Sequence, residues 1–575
     1  MTGRRFASGI AGAAGLIAVT TLLARVVGFG RILVFADAVR AGGVGGIYSS
    51  VNALPNVMFE VAAGGVLAAV AVPLIAHRLG AGERDRADQT ASVLLSWAML
   101  VLLPVAALLW LLAGPIAGWL IKSPDPAAGD VAATLLRIFS VQVPLYGLGI
   151  ILTGLLQAHR RFLAAALAPL VSSVVVLVSY LWYGRIVDGE TAPSLVSAEA
   201  IRVLGWGTTM GVVVLSVPLV VPALRTGWRW RPGLRLPSDD ARRLRVLAGA
   251  GMLALFAQQG AVLVTMWLAN HTGDDGTFTV YLYLQAVYLL PYAVLAVPVA
   301  TSAFPALATG TGAGQDVSGT LARSLRAVLV LTGLSVGVLI AAAPAIGPFF
   351  AILDARRSGG VASTAALAAL PGALNAYAPG LVGFGLIALL TRALYVRGKP
   401  TDAALAAAIG WSIAALLPLA VLGSGQDPGL TLRWLGLSST IGMTVAAVAL
   451  LLLVRRTWGP AVTQGIGRTT GALVVSVALA VAAGDVVTRG RRLDDLVETV
   501  LVGAGAGLLA LMIGVVALMV GDRAMMSEVL TRGRARRRGR GQEGRFSWCS
   551  GRAPEESVRT SRGSSGPSLG RDTPS

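Results

Sequence analysis

Residues 92–121 read SVLLSWAMLVLLPVAALLWLLAGPIAGWLI, a run without a single Asp, Glu, Lys or Arg. A hydrocarbon core about 30 Å thick takes roughly 20 helical residues. This run is therefore long enough to cross a bilayer as a helix. It lacks the strict alternation of apolar and polar residues that an outer-membrane barrel strand requires. Residues 432–454 repeat the pattern, broken only by Arg433. Scanning outward on the same scale gives fourteen expected spans: 9–29, 47–76, 92–121, 132–157, 162–184, 201–224, 246–270, 278–308, 325–351, 366–394, 402–423, 432–454, 469–488 and 498–520. Arg4 and Arg5 precede the first. Its apolar stretch continues to about Phe29 with no clear stop, so it reads as an uncleaved helix rather than a signal peptide.

The composition agrees with the spans. Of 575 residues, 55% are apolar and 13% charged. Soluble domains carry roughly a quarter charged residues, so an ordinary soluble enzyme is excluded. Lys and Arg number 47 against 28 Asp and Glu, a net charge of +19. Most of these bases flank apolar runs and concentrate in alternate connections. That distribution points to the membrane surface rather than nucleic acid, and to two cytoplasmic termini in a multi-pass protein of the cytoplasmic membrane. One cysteine, Cys549, and three scattered histidines, His77, His159 and His271, leave no disulfide framework and no Cys- or His-rich metal site. No GxxxxGK[ST] or HExxH stretch is present, and no GxSxG falls on a strand–turn–helix pattern. The reading is a transporter without a cofactor, not an enzyme. Residues 521–575 hold Arg, Gly, Ser and Pro with few large apolar groups, including Arg532 to Arg540. Such a segment cannot offset its ordering entropy by burial and is expected to be a disordered basic cytoplasmic tail that touches anionic lipid.

Two segments look alike. Leu54-Pro55-Asn56 runs to Val72-Pro73, and Leu290-Pro291-Tyr292 runs to Phe304-Pro305. Pro55 lies 106 residues before Arg161 in one basic loop, and Pro291 lies 106 residues before Arg397 in another. The shared offset suggests a parallel repeat about an axis along the membrane normal. The expected fold is an all-α polytopic membrane protein with an N-terminal six-helix lobe (1–224), a second six-helix lobe (225–424, extending to about 455), an extra helix pair (456–520) and the tail. Two such bundles can rock about a central cavity. Pro55 and Pro291 are candidate hinges, with Pro298, Pro371 and Pro379 behind them, because proline removes a helical hydrogen bond.

Charges at membrane depth are costly and mark function. Arg25 and Arg31 lie late in or just past the first span, and both read as near its outer end. Their forks suit a phosphate. Glu60 is the acid well inside a span; it either pairs with Arg25, carries a proton for coupling, or sits in water. Arg137 is a weaker fourth. Asn52, Asn56, Gln142, Gln258, Gln259, Gln285 and Asn375 read as interhelical hydrogen-bonders, and Asp274-Asp275 as a solvated turn.

Four stretches resemble one family. Thr21 to Arg31 (TLLARVVGFGR) is similar to the "SRxLGFxR" opening of the MurJ/MviN lipid II flippases. Leu54-Pro55-Asn56 followed by Gly65 to Pro73 resembles its second helix, Tyr288 to Ala308 its eighth, and Arg392 to Thr401 (RALYVRGKPT) its "RafYArgDtrTP" loop. The resemblance implies the multidrug/oligosaccharidyl-lipid/polysaccharide exporter fold. It implies a flippase that moves a polyprenyl-diphosphate-linked peptidoglycan precursor, lipid II, across the membrane by alternating access. Cationic cavity residues would grip the diphosphate, and the groove near the last two helices would take the lipid tail. The family's two arginines of helix 1 land on Arg25 and Arg31. Its other charged positions fall on Gly46, Phe59, Gly64 and Ala286. The implied partners are the lipid-linked anionic glycan precursor, membrane lipid and cell-wall synthesis enzymes. The alternatives are a non-transporting scaffold for envelope synthesis and a cation-coupled small-molecule exporter, for which Glu60 would be the coupling acid.

Overall fold

The computed structural model describes residues 20, 23–61, 71–235, 238–312, 315–423 and 427–522; of the side chains, those of 71–73, 238–251 and 312 are also outside the description. Gly64 and the tail beyond Asp522 therefore lie outside the described residues, as do residues 9–19 of the first expected span. Among the described residues there is no strand. The helices are α1 (23–38), α2 (Val44–Glu60), α3 (Ala71–Gly80), α4 (Arg84–Leu111), α5 (Ala113–Leu120), α6 (Ala128–Ser140), α7 (Gln142–Ala158), α8 (Phe162–Val187), α9 (Ala198–Ser216) and α10 (Val220–Leu224). There follow α11 (Ser238–Thr272), α12 (Thr277–Pro291), α13 (Val297–Gly312), α14 (Ser318–Ala355), α15 (Leu370–Tyr377), α16 (Gly380–Val396), α17 (Pro400–Val421), α18 (Pro428–Trp458), α19 (Ile466–Thr488) and α20 (Leu496–Gly521). The chain to Leu518 forms one compact unit, and a second begins at Met519, of which only the first four residues are described.

Among the described residues eleven helices are long and apolar enough to cross a membrane, or twelve when α15 and α16 count as one span bent by 51°. In order they match the third to the fourteenth expected spans. The first two expected spans fall partly on residues outside the description, so the described residues account for eleven to twelve of the fourteen. The bend comes at Ala378-Pro379, where proline removes a ladder hydrogen bond. Proline also marks span 8, in which Pro291 ends α12 and the turn Tyr292–Ala296 is a π-helix before α13 resumes.

Helix packing follows the rule for apolar surroundings, where small residues let backbones approach. A Cβ on Gly442 of α18 would meet the Gly410 carbonyl of α17, and one on Gly211 of α9 would meet Val176 of α8. Large apolar side chains instead face outward, among them Leu100, Leu103 and Trp110 on α4 and Val178 and Trp182 on α8.

Among the described residues three large buried clusters organise the interior. The largest joins the two halves of the chain at one end of the molecule, with Phe35, Val44, Ile47, Phe139 and Tyr183 from the first half and Phe278, Tyr283, Phe350 and Leu370 from the second. Toward the other end the clusters are separate. Ile75, Leu94, Leu152 and Trp228 form one within the first half. Ala300, Leu325, Leu390 and Leu450 form another within the second.

Candidate functional site

The first helix corrects the sequence reading. It does not stop at Phe29 but continues to Ala38. At 1.5 Å per residue, Arg31 is roughly 10 Å and Arg25 roughly 20 Å short of that end. Neither lies in the last turn of α1.

A cavity of about 540 Å³ opens between the halves. From the first half it is lined by Arg31 and Phe35 of α1, Tyr48, Asn52, Asn56 and Glu60 of α2, and Tyr180 of α8. From the second it is lined by Gln258 and Gln259 of α11 and by Thr279, Gln285 and Ala286 of α12. The sequence-predicted residues thus divide. Arg31 and Glu60 share this cavity, whereas Arg25 is exposed on α1 and is not part of the lining. Among the described residues neither Arg25, Arg31 nor Glu60 forms an ion pair, so the expected Arg25–Glu60 bridge is absent. Pro55 lies buried within α2 and Pro291 at the π-turn. Of the positions that the resemblance marks as charged in the family, Ala286 lines the cavity and the Phe59 ring meets that of Tyr146 at a tilt of 47°, with centroids 4.6 Å apart.

The cavity wall is held by neutral hydrogen bonds. The Tyr48 hydroxyl lies 2.8 Å from that of Tyr180 and 3.0 Å from that of Thr208. Tyr146 donates to Asn56 Oδ1 at 3.2 Å, and Gln142 Nε2 donates to Thr209 at 3.0 Å. Gln285 Nε2 donates to the hydroxyls of Tyr281, at 2.7 Å, and Tyr377, at 3.1 Å. These match the interhelical role expected of Asn56, Gln142 and Gln285. Among the described residues no cluster of three or more metal-ligating side chains occurs.

The end of the molecule at which the halves share a core carries a charge cluster that the sequence did not reveal. Arg40, 4% exposed, follows α1 in a left-handed conformation with φ 72°. Its guanidinium donates to the carbonyls of Asp354 (2.7 Å), Gly189 (2.6 Å) and Val361 (2.6 Å), and its Nη2 is 3.6 Å from the buried Asp354 carboxylate. That carboxylate accepts from Ala41 N at 2.7 Å, Ser363 N at 2.6 Å and the Ser363 hydroxyl at 2.9 Å. Arg357 donates twice to Asp37 Oδ2, at 3.0 and 2.8 Å. Asp275 is no mere solvated turn: its Oδ2 accepts the Gly43 N–H at 2.7 Å. Residues 37–43 are thereby clasped to the connections that follow α8, α11 and α14. Partners more than three hundred positions apart leave no local motif. The available signal was the unusual density of charge in Asp37 to Arg40 and Asp354 to Arg357, at the ends of apolar runs.

The family model described as lipid II flippase MurJ matches residues 35–491. The chain belongs to the MurJ lipid II flippase family. It is a membrane transporter of that family, not an enzyme. It is 25% identical over 514 residues to the probable lipid II flippase MurJ of Rhizobium tropici, a match covering 87% of this chain and 90% of that protein. It is 27% identical over 323 residues to the probable lipid II flippase MurJ of Rhizobium meliloti (strain 1021), covering 54% of this chain and 58% of that relative. Among solved structures, a lipid II flippase MurJ in an inward closed conformation superimposes with a TM-score of 0.69 at 17% identity, over 89% of this chain and 99% of that one. An inward-facing MATE family transporter of the MOP superfamily follows at 0.58 and 13% identity, over 78% of this chain and 99% of that one. These likenesses show the exporter fold.

Proposed function

We propose that this MurJ-family chain moves a polyprenyl-diphosphate-linked peptidoglycan precursor, lipid II, across the cytoplasmic membrane by alternating access, in cell-wall synthesis. The clasp at residues 37–43 faces the outside and both termini face the cytoplasm. The two lobes, 1–224 and 225–424, are the moving bodies, and Pro55 and Pro291 their flexible points. The lipid-linked head group enters between the lobes, and the clasp opens to release it.

The observation that carries this reading is Arg31. It stands at membrane depth in a cavity built by both halves, without an acidic partner. An unpaired charge in such a place is retained for a ligand, and a guanidinium fork matches the two acceptor edges of a diphosphate. Arg25, outside the cavity lining, meets the diphosphate earlier on the same path. Glu60, in the same chamber, is the group available to carry a coupling proton. Partner enzymes of the cell wall would receive the delivered precursor.

The test is replacement of Arg31 in cells depleted of other flippase activity, with the lipid-linked precursor followed in each leaflet. A hydrogen bond to a charged group contributes about 1.5–3 kcal/mol, so Arg31→Ala should reduce outward movement at least tenfold while Arg31→Lys retains part of it. Transport equal to wild type in Arg31→Ala, with the protein at normal abundance, would remove Arg31 as the diphosphate contact; no transport by the wild-type chain, beside a defective deletion, would favour the scaffold reading instead.

A further inference from the structure

The connection between the two halves is built as a strap. Residues 227–235, sequence GWRWRPGLR, run without helix along the first turns of α4. Trp228 is buried, and its Nε1 donates to Asp88 O at 3.3 Å and Ser92 Oγ at 3.2 Å. Trp230 Nε1 donates to Ser96 Oγ at 3.4 Å. Arg231 N and Gly233 N donate to Ser92 Oγ and Ser96 Oγ, each at 3.3 Å, and Trp97 Nε1 donates to Leu234 O at 3.1 Å. The repeats match. Four helical residues rise about 6 Å, and two extended residues advance about 6.6 Å, so two serines one turn apart serve successive steps of the strap.

This fixes what the strap shows to its surroundings. Arg229, Arg231 and Arg235 are exposed, and none forms an ion pair among the described residues. They border a cavity of about 820 Å³ with Gln89, Asp85 and Asp88. Beside them Trp97, Trp230 and Leu234 are 47%, 51% and 52% exposed. On α4 the exposed apolar stripe begins at Trp97 and continues through Leu100, Val101 and Leu103, while Arg84, Asp85 and Arg86 lie on the other side of the strap. The boundary between water and hydrocarbon therefore crosses the strap at its tryptophans, the level at which indole rings concentrate.

We propose that the strap is a docking site for the phosphate head group of an anionic bilayer phospholipid. Three free guanidinium groups meet the phosphate from the aqueous side, and the two exposed indoles and Leu234 lie against the acyl chains. The cavity shares no lining residue with the central chamber, which assigns it to bilayer lipid rather than to the transported head group. Because the strap is the covalent link between the halves, lipid held there sits on the segment that must accommodate their relative motion.

The test uses the full-length protein in vesicles of phosphatidylcholine with or without phosphatidylglycerol. Phosphatidylglycerol retained after extraction is counted by native mass spectrometry. Each basic residue near an anionic surface contributes about a factor of five to binding, so the Arg229→Gln, Arg231→Gln, Arg235→Gln triple variant should retain phosphatidylglycerol at least tenfold more weakly. The corresponding triple Lys variant should recover most of it, and Arg455→Gln with Arg456→Gln, away from the strap, should behave as wild type. Thermal unfolding of each variant establishes that the fold persists. Unchanged retention in the folded triple Gln variant overturns the proposal. So does displacement of the retained phosphatidylglycerol by an equal amount of polyprenyl diphosphate.

Discussion

At Gly46 the space that a side chain would need is filled from another element. The sequence resemblance puts one of the family's charged positions at Gly46, and a Cβ there would come within 2.8 Å of Asp275 Oδ1 and 3.0 Å of Gly276 N. The place is already taken by a carboxylate. It caps α2 through Gly43 N, and α2 has no acidic residue in its own first turn. A negative group at a helix N-terminus is favourable whichever chain segment supplies it. Gly46→Asp alone crowds this site and sets two carboxylates together, a cost of about 1–3 kcal/mol from overpacking plus their repulsion. It should lower the thermal midpoint, and adding Asp275→Gly should restore most of it. Strictly additive losses in that double-mutant cycle would show that the positions do not share one site. His159, just after α7, supports a second prediction. Its Nε2 is buried without a partner. Burial pushes the imidazole below its usual 6.5; Asp88 opposes the shift, and Arg161 and Arg84 add to it. With the folded value depressed, the unfolded chain binds the proton first, so stability is fully present above pH 6.5 and declines as pH falls below it. Thermal midpoints measured against pH should show that decline in the wild type and a shallower one in His159→Gln.

At the scale of helices, the interruptions are more informative than the spans. Span 8 leaves α-helical register at Tyr292–Ala296, directly after Pro291. A π-turn carries a wider, weaker hydrogen-bond ring and often marks a functional point in a helix. Pro291→Ala restores the missing donor and favours a straight α-helix through the turn. The expected result is equal or higher thermal stability with slower translocation in a reconstituted flipping assay; unchanged translocation would remove Pro291 as a hinge. Span existence was legible in the sequence, because apolar runs of bilayer length have few other fates, as α4 and α18 show. Ends and bends were not. The extension of α1 to Ala38 runs through Arg31 and Asp37, charges that a hydropathy reading takes as exits. Here they are accommodated by a chamber and by Arg357. The central site was half legible: Arg31 and Glu60 stood out as membrane charges, but the clasp was invisible because Arg40 meets Asp354 only after the chain has folded back on itself.

For the molecule as a whole, the shared core at the clasped end and the separate cores toward the other end suit the alternating access proposed above. Opening at the clasp must break the Arg40–Asp354 cluster and part the largest apolar cluster between the halves, while the two smaller clusters can move as units. Packed interfaces of this kind switch between discrete arrangements rather than deforming continuously. Asp354→Asn keeps the shape of the side chain and removes its charge, leaving the Arg40 guanidinium buried without a counter-ion. Breaking a buried pair costs about 3–5 kcal/mol, and a bias of that size shifts a two-state equilibrium by at least a hundredfold. The population open at the clasp should therefore rise. The readout is a single cysteine at Asn52, which lines the chamber, placed in a Cys549→Ser background. A membrane-impermeant thiol reagent added on the clasp side should label it slowly in the wild-type background and many-fold faster with Asp354→Asn. Restoring opposite charge through Asp354→Glu should slow labelling again. Equal labelling in all three would mean that this cluster does not hold the chamber shut, and that the apolar core alone does.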